Sequence, residues 1–163
     1  MLNFFKKKKK EVNIYAPLNG EIIPLEKVPD PVFSQKMMGE GIAMIPTNGH
    51  VHAPVDGTII QIARTKHAVG ILAEDGSEIL IHIGLETVAL DGEGFRVAVK
   101  KGDKVSVGDL LIEVDWDYIK EHAKSAVTPI VITNSSESKK QYVPTEETVG
   151  IQGKTVIMTS SGK

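Results

Sequence analysis

Short apolar runs, interrupted about every ten residues by Gly, Pro, Asn or Asp, extend through this chain from Asn13 to Thr159. Runs of that length suit strands, and they are too short for the three-turn helices of a typical domain. The pattern therefore predicts an all-β fold, an antiparallel sandwich or barrel. Strands are expected at Asn13–Ala16, Glu21–Leu25, Ile42–Ile45, Gly57–Ala63, His67–Ala73 and Glu78–Ile83. Others are expected at Arg96–Val99, Lys104–Ser106, Leu110–Val114, Ile130–Asn134 and Lys154–Thr159. Helix is confined to two short pieces. Asp30-Pro31 supplies an N-cap and a preset first helical residue ahead of Gly39, and Asp117–Lys124 has an acidic start and a basic end. Asn134–Val149 is polar and poorly periodic, which reads as a surface connection.

The β pattern contains a duplication. Tyr15-Ala-Pro-Leu-Asn-Gly-Glu-Ile-Ile-Pro-Leu25 recurs as His52-Ala-Pro-Val-Asp-Gly-Thr-Ile-Ile-Gln-Ile62. Each copy reads as a proline bend, an Asx-Gly turn and a strand. Two copies indicate a doubled β unit rather than a solenoid, which needs at least three.

With 163 residues, the chain reads as a basic N-terminal tail over residues 1–12 and a single domain over 13–163. The net charge of −2 gives no footprint for nucleic acid. Cysteine is absent, which removes disulfides and thiolate chemistry and fits a reducing, cytoplasmic setting. No apolar run approaches the ~20 residues needed to span a bilayer. In Met1–Lys10 the apolar residues precede five lysines, the reverse of a signal peptide. The tail reads as a flexible solubilising segment, or as a weak contact for an anionic membrane surface through Leu2, Phe4, Phe5 and the lysines.

Candidate chemistry gathers on two histidines. Asp75-Gly76, between apolar runs, predicts a two-residue hairpin loop, because a type I′ turn needs positive φ at both central residues. That register pairs Glu74 with Ser77 and His82 with Val69, so His67 becomes a diagonal, same-face neighbour of His82. Thr65 falls on the same face. His82 lies in an otherwise apolar strand, where a polar ring needs a partner or a task. Neutral imidazole is a nucleophile near pH 7, and a second ring beside it can bond anionic oxygens placed on the first. Thr65 could fix the tautomer of His67. The pair thus fits a transient phosphohistidine, a metal site or a plain structural pair. His50-Val-His52 has a spacing able to ligate zinc, but the third ligand of a zinc hydrolase is missing from the pattern, and a polar turn suits both residues. Gly39-Glu-Gly41 and Gly92-Glu-Gly94 do not extend into a dinucleotide fingerprint and read as turns. The turn Gly102–Asp109 lacks the lysine element of a swinging-arm carrier.

Ordered blocks along nearly the whole chain carry a resemblance. They are Ala16-Pro-Leu-Asn-Gly20, Val28-Pro-Asp-Pro-Val-Phe33, Ala53-Pro-Val-Asp-Gly57, Thr65-Lys-His67-Ala and Ile81-His82-Ile-Gly-Leu-Glu-Thr-Val88. Gly92-Glu-Gly-Phe95, Val107-Gly-Asp109 and Thr128-Pro-Ile-Val-Ile-Thr-Asn134 complete the set. The chain resembles the glucose-type IIA components of the bacterial phosphoenolpyruvate-dependent sugar phosphotransferase system. The resemblance implies a phosphoryl relay from the carrier HPr, through a histidine, to the IIB domain of a sugar permease, with no cofactor or metal. It implies that His82 is the phosphoryl acceptor, His67 the neighbour needed for onward transfer, and Thr65 its hydroxyl partner. It also implies a partner surface of Asp30, Val32, Phe33, Met37, Met38, Leu80, Glu86 and Val88, with Phe33 as an apolar anchor. Members of the family often carry phenylalanine where this chain has Ala63 and Leu80, and aspartate where it has Glu86.

Overall fold

The computed structural model describes residues 11–162. In chain order the strands are β1 (Glu11–Tyr15), β2 (Asn19–Pro24), β3 (Glu40–Asn48), β4 (Val51–His52), β5 (Gly57–Ile62), β6 (Ala68–Ala73) and β7 (Glu78–His82). They continue as β8 (Phe95–Val97), β9 (Lys104–Val105), β10 (Leu110–Val114), β11 (Thr128–Ile132), β12 (Lys140–Pro144), β13 (Val149–Gly150) and β14 (Val156–Gly162). Two short helices, α1 (Pro31–Ser34) and α2 (Trp116–His122), interrupt them. The large sheet has the order β13-β2-β3-β11-β7-β6-β5-β9, and two three-stranded sheets, β1-β14-β12 and β4-β10-β8, supply the other layer. This is an antiparallel sandwich, not a closed barrel.

The register shows how the core is built. Ile42, Ile130, Ile81 and Val69 stand opposite one another across β3, β11, β7 and β6, and Ile132, Ile79, Ile71 and Ile59 form a second row across β11, β7, β6 and β5. Opposed residues share a face, so these rows give the large sheet a continuous apolar inner surface. Ile14, Ile157 and Met158 from one small sheet, and Val51, Leu111 and Ile112 from the other, close over it. A second, smaller cluster lies on the outer face, where Leu25, Val28 and Phe33 cover Ala43, Ala68, Leu80 and Val131. That outer face carries the histidines.

The duplicated motif packs against itself. Tyr15 N–H donates to the Pro54 carbonyl at 2.9 Å, and His52 N–H donates to the Pro17 carbonyl at 2.8 Å. Because each residue of one copy has its counterpart in the other, the two bonds are reciprocal, as across a local pseudo-twofold axis. The relation extends past the visible repeat. Ala53 exchanges backbone bonds with Gly108 and Asp109, as Ala16 does with Gly153 and Thr155.

Three expectations are corrected. Within Asn134–Val149, β12 adds an edge strand to β14. Tyr142 is half-buried while its neighbours face solvent, so the strand rests on backbone pairing and leaves little apolar signal. The β6–β7 register is one residue from the expected one, with His82 opposite Ala68 rather than Val69. A three-residue loop, Glu74 to Gly76, replaces the two-residue turn; Ala73 N–H bonds Ser77 O and only Gly76 adopts positive φ there. The cause is the buried Asp75 carboxylate. It accepts from Ser77 N–H at 2.9 Å, Ser77 Oγ at 3.1 Å and Ser160 Oγ at 2.5 Å, which draws Asp75 inward. At the N-terminus, Glu11 and Val12 belong to β1 rather than to a tail. Met1–Lys10, with the membrane contact expected of it, lies outside the described residues.

Candidate active site

His82 ends β7, and the next two residues leave the sheet. Gly84 takes φ +77, and its carbonyl accepts the His82 Nδ1 proton at 2.8 Å. A carbonyl can only accept, so the bond assigns that proton to Nδ1 and leaves the lone pair on Nε2. A Cβ on Gly84 would stand 2.6 Å from Thr87 Cγ2 and 2.9 Å from the Ser125 carbonyl, so glycine is required here.

His67 reaches His82 by a route the sequence did not show. The link between β5 and β6 closes as a four-residue loop, with Ala63 N–H bonding Ala68 O and Lys66 N–H bonding Ala63 O. Lys66 is left-handed at φ +65, and His67 sits in the bend that follows. The Ile83 N–H fixes the His67 carbonyl at 2.7 Å. Leaving strand geometry cancels the one-residue shift in register, and the two rings meet edge-on with centroids 4.9 Å apart. Thr65 Oγ1 lies 2.8 Å from His67 Nδ1, and both residues are buried.

Burial, and then the neighbouring His82 ring, push His67 down to about 4, against the opposing effect of a hydrogen bond to the Thr65 backbone. Burial also lowers His82, while the Gly84 bond and the Asp30 carboxylate pull the other way. Both rings are therefore neutral near pH 7, the state in which an imidazole nitrogen can attack. The same burial couples His67 to stability. Below pH 6.5 the unfolded chain binds a proton that folded His67 refuses until about pH 4, so acidification across that window favours unfolding. Urea unfolding at stepped pH should show His67→Gln gaining on the wild type by about 3 kcal/mol over this window. A pH-independent difference would contradict the burial of a neutral ring.

Asp30 caps α1, its Oδ1 accepting from Val32 N–H at 3.0 Å, with Pro31 as the first helical residue. This single turn lays the Phe33 ring 5.0 Å from that of His82. Lys36 ends the turn in a left-handed conformation, and its ammonium faces Glu26 at 3.4 Å and Glu40 at 3.2 Å. On the other side, Lys124 Nζ donates to the Pro29 carbonyl at 2.9 Å and faces Glu86 at 3.9 Å.

The expected partner residues divide in two. Met37 (69% exposed), Val88 (59%) and Val32 are presented to solvent, with Glu86 exposed and Asp30 and Met38 half-buried. Phe33 (4%) and Leu80 (8%) lie beneath them. Phe33 is thus packing for the His82 ring rather than an exposed anchor. His50 and His52 use ring nitrogens on the backbone of β10 and its approach, His50 accepting from Val114 N–H and His52 donating to Gly108 O. Gly84, Thr87 and Lys124 were not singled out for roles in the sequence, because their contribution depends on a backbone turn and on bonds between distant segments.

Fold and site together define an antiparallel β-sandwich protein with a pair of histidines on the outer face of its large sheet. The family model for the phosphoenolpyruvate-dependent sugar phosphotransferase system, EIIA 1, matches residues 12–138, and the chain belongs to that family. A glucose-specific EIIA component of Halalkalibacterium halodurans is 60% identical over 121 residues, covering 74% of this chain and 70% of that one. One from Oceanobacillus iheyensis is 54% identical, covering 91% of this chain and 93% of the relative. The solved glucose permease IIA from Mycoplasma capricolum superposes with a TM-score of 0.83 at 36% identity, over 98% of this chain and 99% of that one.

Proposed function

We propose that this chain is a cytoplasmic phosphocarrier, in which His82 Nε2 takes a phosphoryl group from phospho-HPr and yields it to the IIB domain of a glucose-type permease. The observation that carries the reading is the His82 tautomer: Nδ1–H is committed to Gly84 O, so the lone pair sits on Nε2. In the first step the nitrogen–phosphorus bond to HPr breaks as the His82 Nε2–phosphorus bond forms. In the second, the IIB nucleophile takes the phosphoryl group and returns the lone pair to Nε2. The group passes from one imidazole to another, so the chemistry asks of the protein positioning and charge stabilisation rather than a metal or cofactor.

His67 supplies part of that stabilisation. In this reading the Thr65 hydroxyl, 2.8 Å from His67 Nδ1, acts as the donor, so that the ring proton sits on Nε2 and can bond a phosphoryl oxygen. In this reading the exposed Val32, Met37 and Val88 supply the apolar part of the partner surface, and Asp30 and Glu86 add negative charge suited to a basic partner. Val88→Asp is expected to raise the apparent KM for phospho-HPr about tenfold, a cost of ~1.4 kcal/mol, with little change in kcat. Initial rates over a series of HPr concentrations test this, and an unchanged KM would remove Val88 from the interface. Among the described residues no helix is long and apolar enough to cross a membrane.

Incubation with phosphoenolpyruvate, enzyme I and HPr, followed by intact mass before and after mild acid, tests the proposal. The expected product carries a single acid-labile phosphoryl group. An unmodified chain, or an acid-stable adduct, would refute it.

A further inference from the structure

We propose that Thr87 is a positioning residue for the phosphoryl-accepting histidine, holding the Gly84 carbonyl where it fixes the His82 tautomer. The inference rests on the reading of His82 as the acceptor. Thr87 is fully buried (0% exposed), and its Oγ1 donates to the Ile83 carbonyl at 2.7 Å. The Ile83 carbonyl begins the peptide plane that leads into Gly84. The Thr87 methyl group lies on the other side of the same turn, where a Gly84 Cβ would meet it at 2.6 Å. Thr87 therefore grips the turn through both arms of its side chain.

The turn needs holding. Gly84 (φ +77) and Glu86 (φ +57) both lie in the left-handed region, and Glu86 carries a side chain there. Non-glycine residues persist in that conformation only where their surroundings enforce it. Two anchors do so. Leu85 N–H is tied to the Ser125 carbonyl at 2.9 Å, and the Thr87 hydroxyl ties Ile83. Between these ties lies the Gly84 carbonyl that accepts from His82 Nδ1 at 2.8 Å. Without the Thr87 bond, the Ile83–Gly84 peptide loses its tie and the Leu85 N–H alone holds the plane that bears the Gly84 carbonyl, which weakens its aim at His82 Nδ1. His82 could then place its proton on Nε2, which removes the attacking lone pair.

The test uses the full chain with 15N-labelled histidine, in two variants. Thr87→Val keeps the shape and deletes the hydroxyl, whereas Thr87→Ser keeps the hydroxyl and deletes the methyl group. For Thr87→Val, the His82 ring 15N shifts are expected to move towards an exchanging mixture of tautomers. Its acceptance rate from phospho-HPr should fall roughly ten- to a hundredfold, as expected when a reacting group is misplaced. Thr87→Ser should keep the single tautomer and a near-wild-type rate, even if its melting temperature falls. A folded Thr87→Val with the wild-type tautomer and rate would overturn the proposal. If Thr87→Val does not fold, Thr87→Ser decides: loss of tautomer and rate despite the retained hydroxyl would also overturn it. The tautomer is read without any phosphoryl transfer, so failure of the acceptor assignment would show separately, as a wild-type chain that does not label on His82.

Discussion

His82→Ala is expected to accept no measurable phosphoryl group from phospho-HPr while keeping the wild-type fold. The variant loses the one nitrogen whose lone pair is set free by the Gly84 bond. His67 cannot replace it, because that ring is buried and its Nδ1 is engaged by Thr65. The fold should survive because His82 is half-buried at the end of β7, outside the isoleucine rows that close the inner core. Circular dichroism and thermal melting would establish the fold, and acid-labile radiolabel would report acceptance. Label at the wild-type level on the purified variant would remove His82 from the mechanism.

His67→Gln separates the two halves of the relay. In acceptance, the donor presents the phosphoryl group and His82 supplies the lone pair, so this step should continue. In the onward step, charge builds on a phosphoryl group whose neighbour is the His67 ring, edge-on at 4.9 Å between centroids. An imidazole can strengthen its bond, or take up a proton, as that charge grows, and a glutamine amide can do only the first. Loss of such a contact in a transition state costs on the order of 3 kcal/mol, or about a hundredfold in rate. Rapid-quench transfer to an isolated IIB domain should show that loss with acceptance preserved. Equal onward rates would contradict the role given to His67.

Much of this architecture is visible in the chain because it follows from local rules. Alternating isoleucines bounded by Gly, Pro and Asx turns dictate strands with one apolar face, and the paired Ala-Pro-x-Asx-Gly motifs announce the doubled unit. Its second half escaped notice because it resides in backbone bonds to Gly108 and Gly153 rather than in matching side chains. The β6–β7 register differs from the one that Asp75-Gly76 predicts because local turn preferences take no account of a buried carboxylate 85 positions from the serine that anchors it. The histidine pair is nonetheless legible in the sequence, since the irregular loop before His67 restores what the shifted register would lose. Burial separates Phe33 and Leu80 from Met37 and Val88, and it is a property of tertiary packing that the sequence pattern did not reveal. The tautomer of His82 depends on a single positive φ at Gly84, so it belongs to the backbone of the folded protein.

The most direct measurement phosphorylates 15N-histidine-labelled chain with phosphoenolpyruvate, enzyme I and HPr, and reads the 31P and ring 15N resonances together. The expected result is a single phosphohistidine, with phosphorus coupled to Nε2 of His82 and the proton retained on Nδ1. Phosphorus on Nδ1, on His67, or on no histidine would contradict the proposed relay.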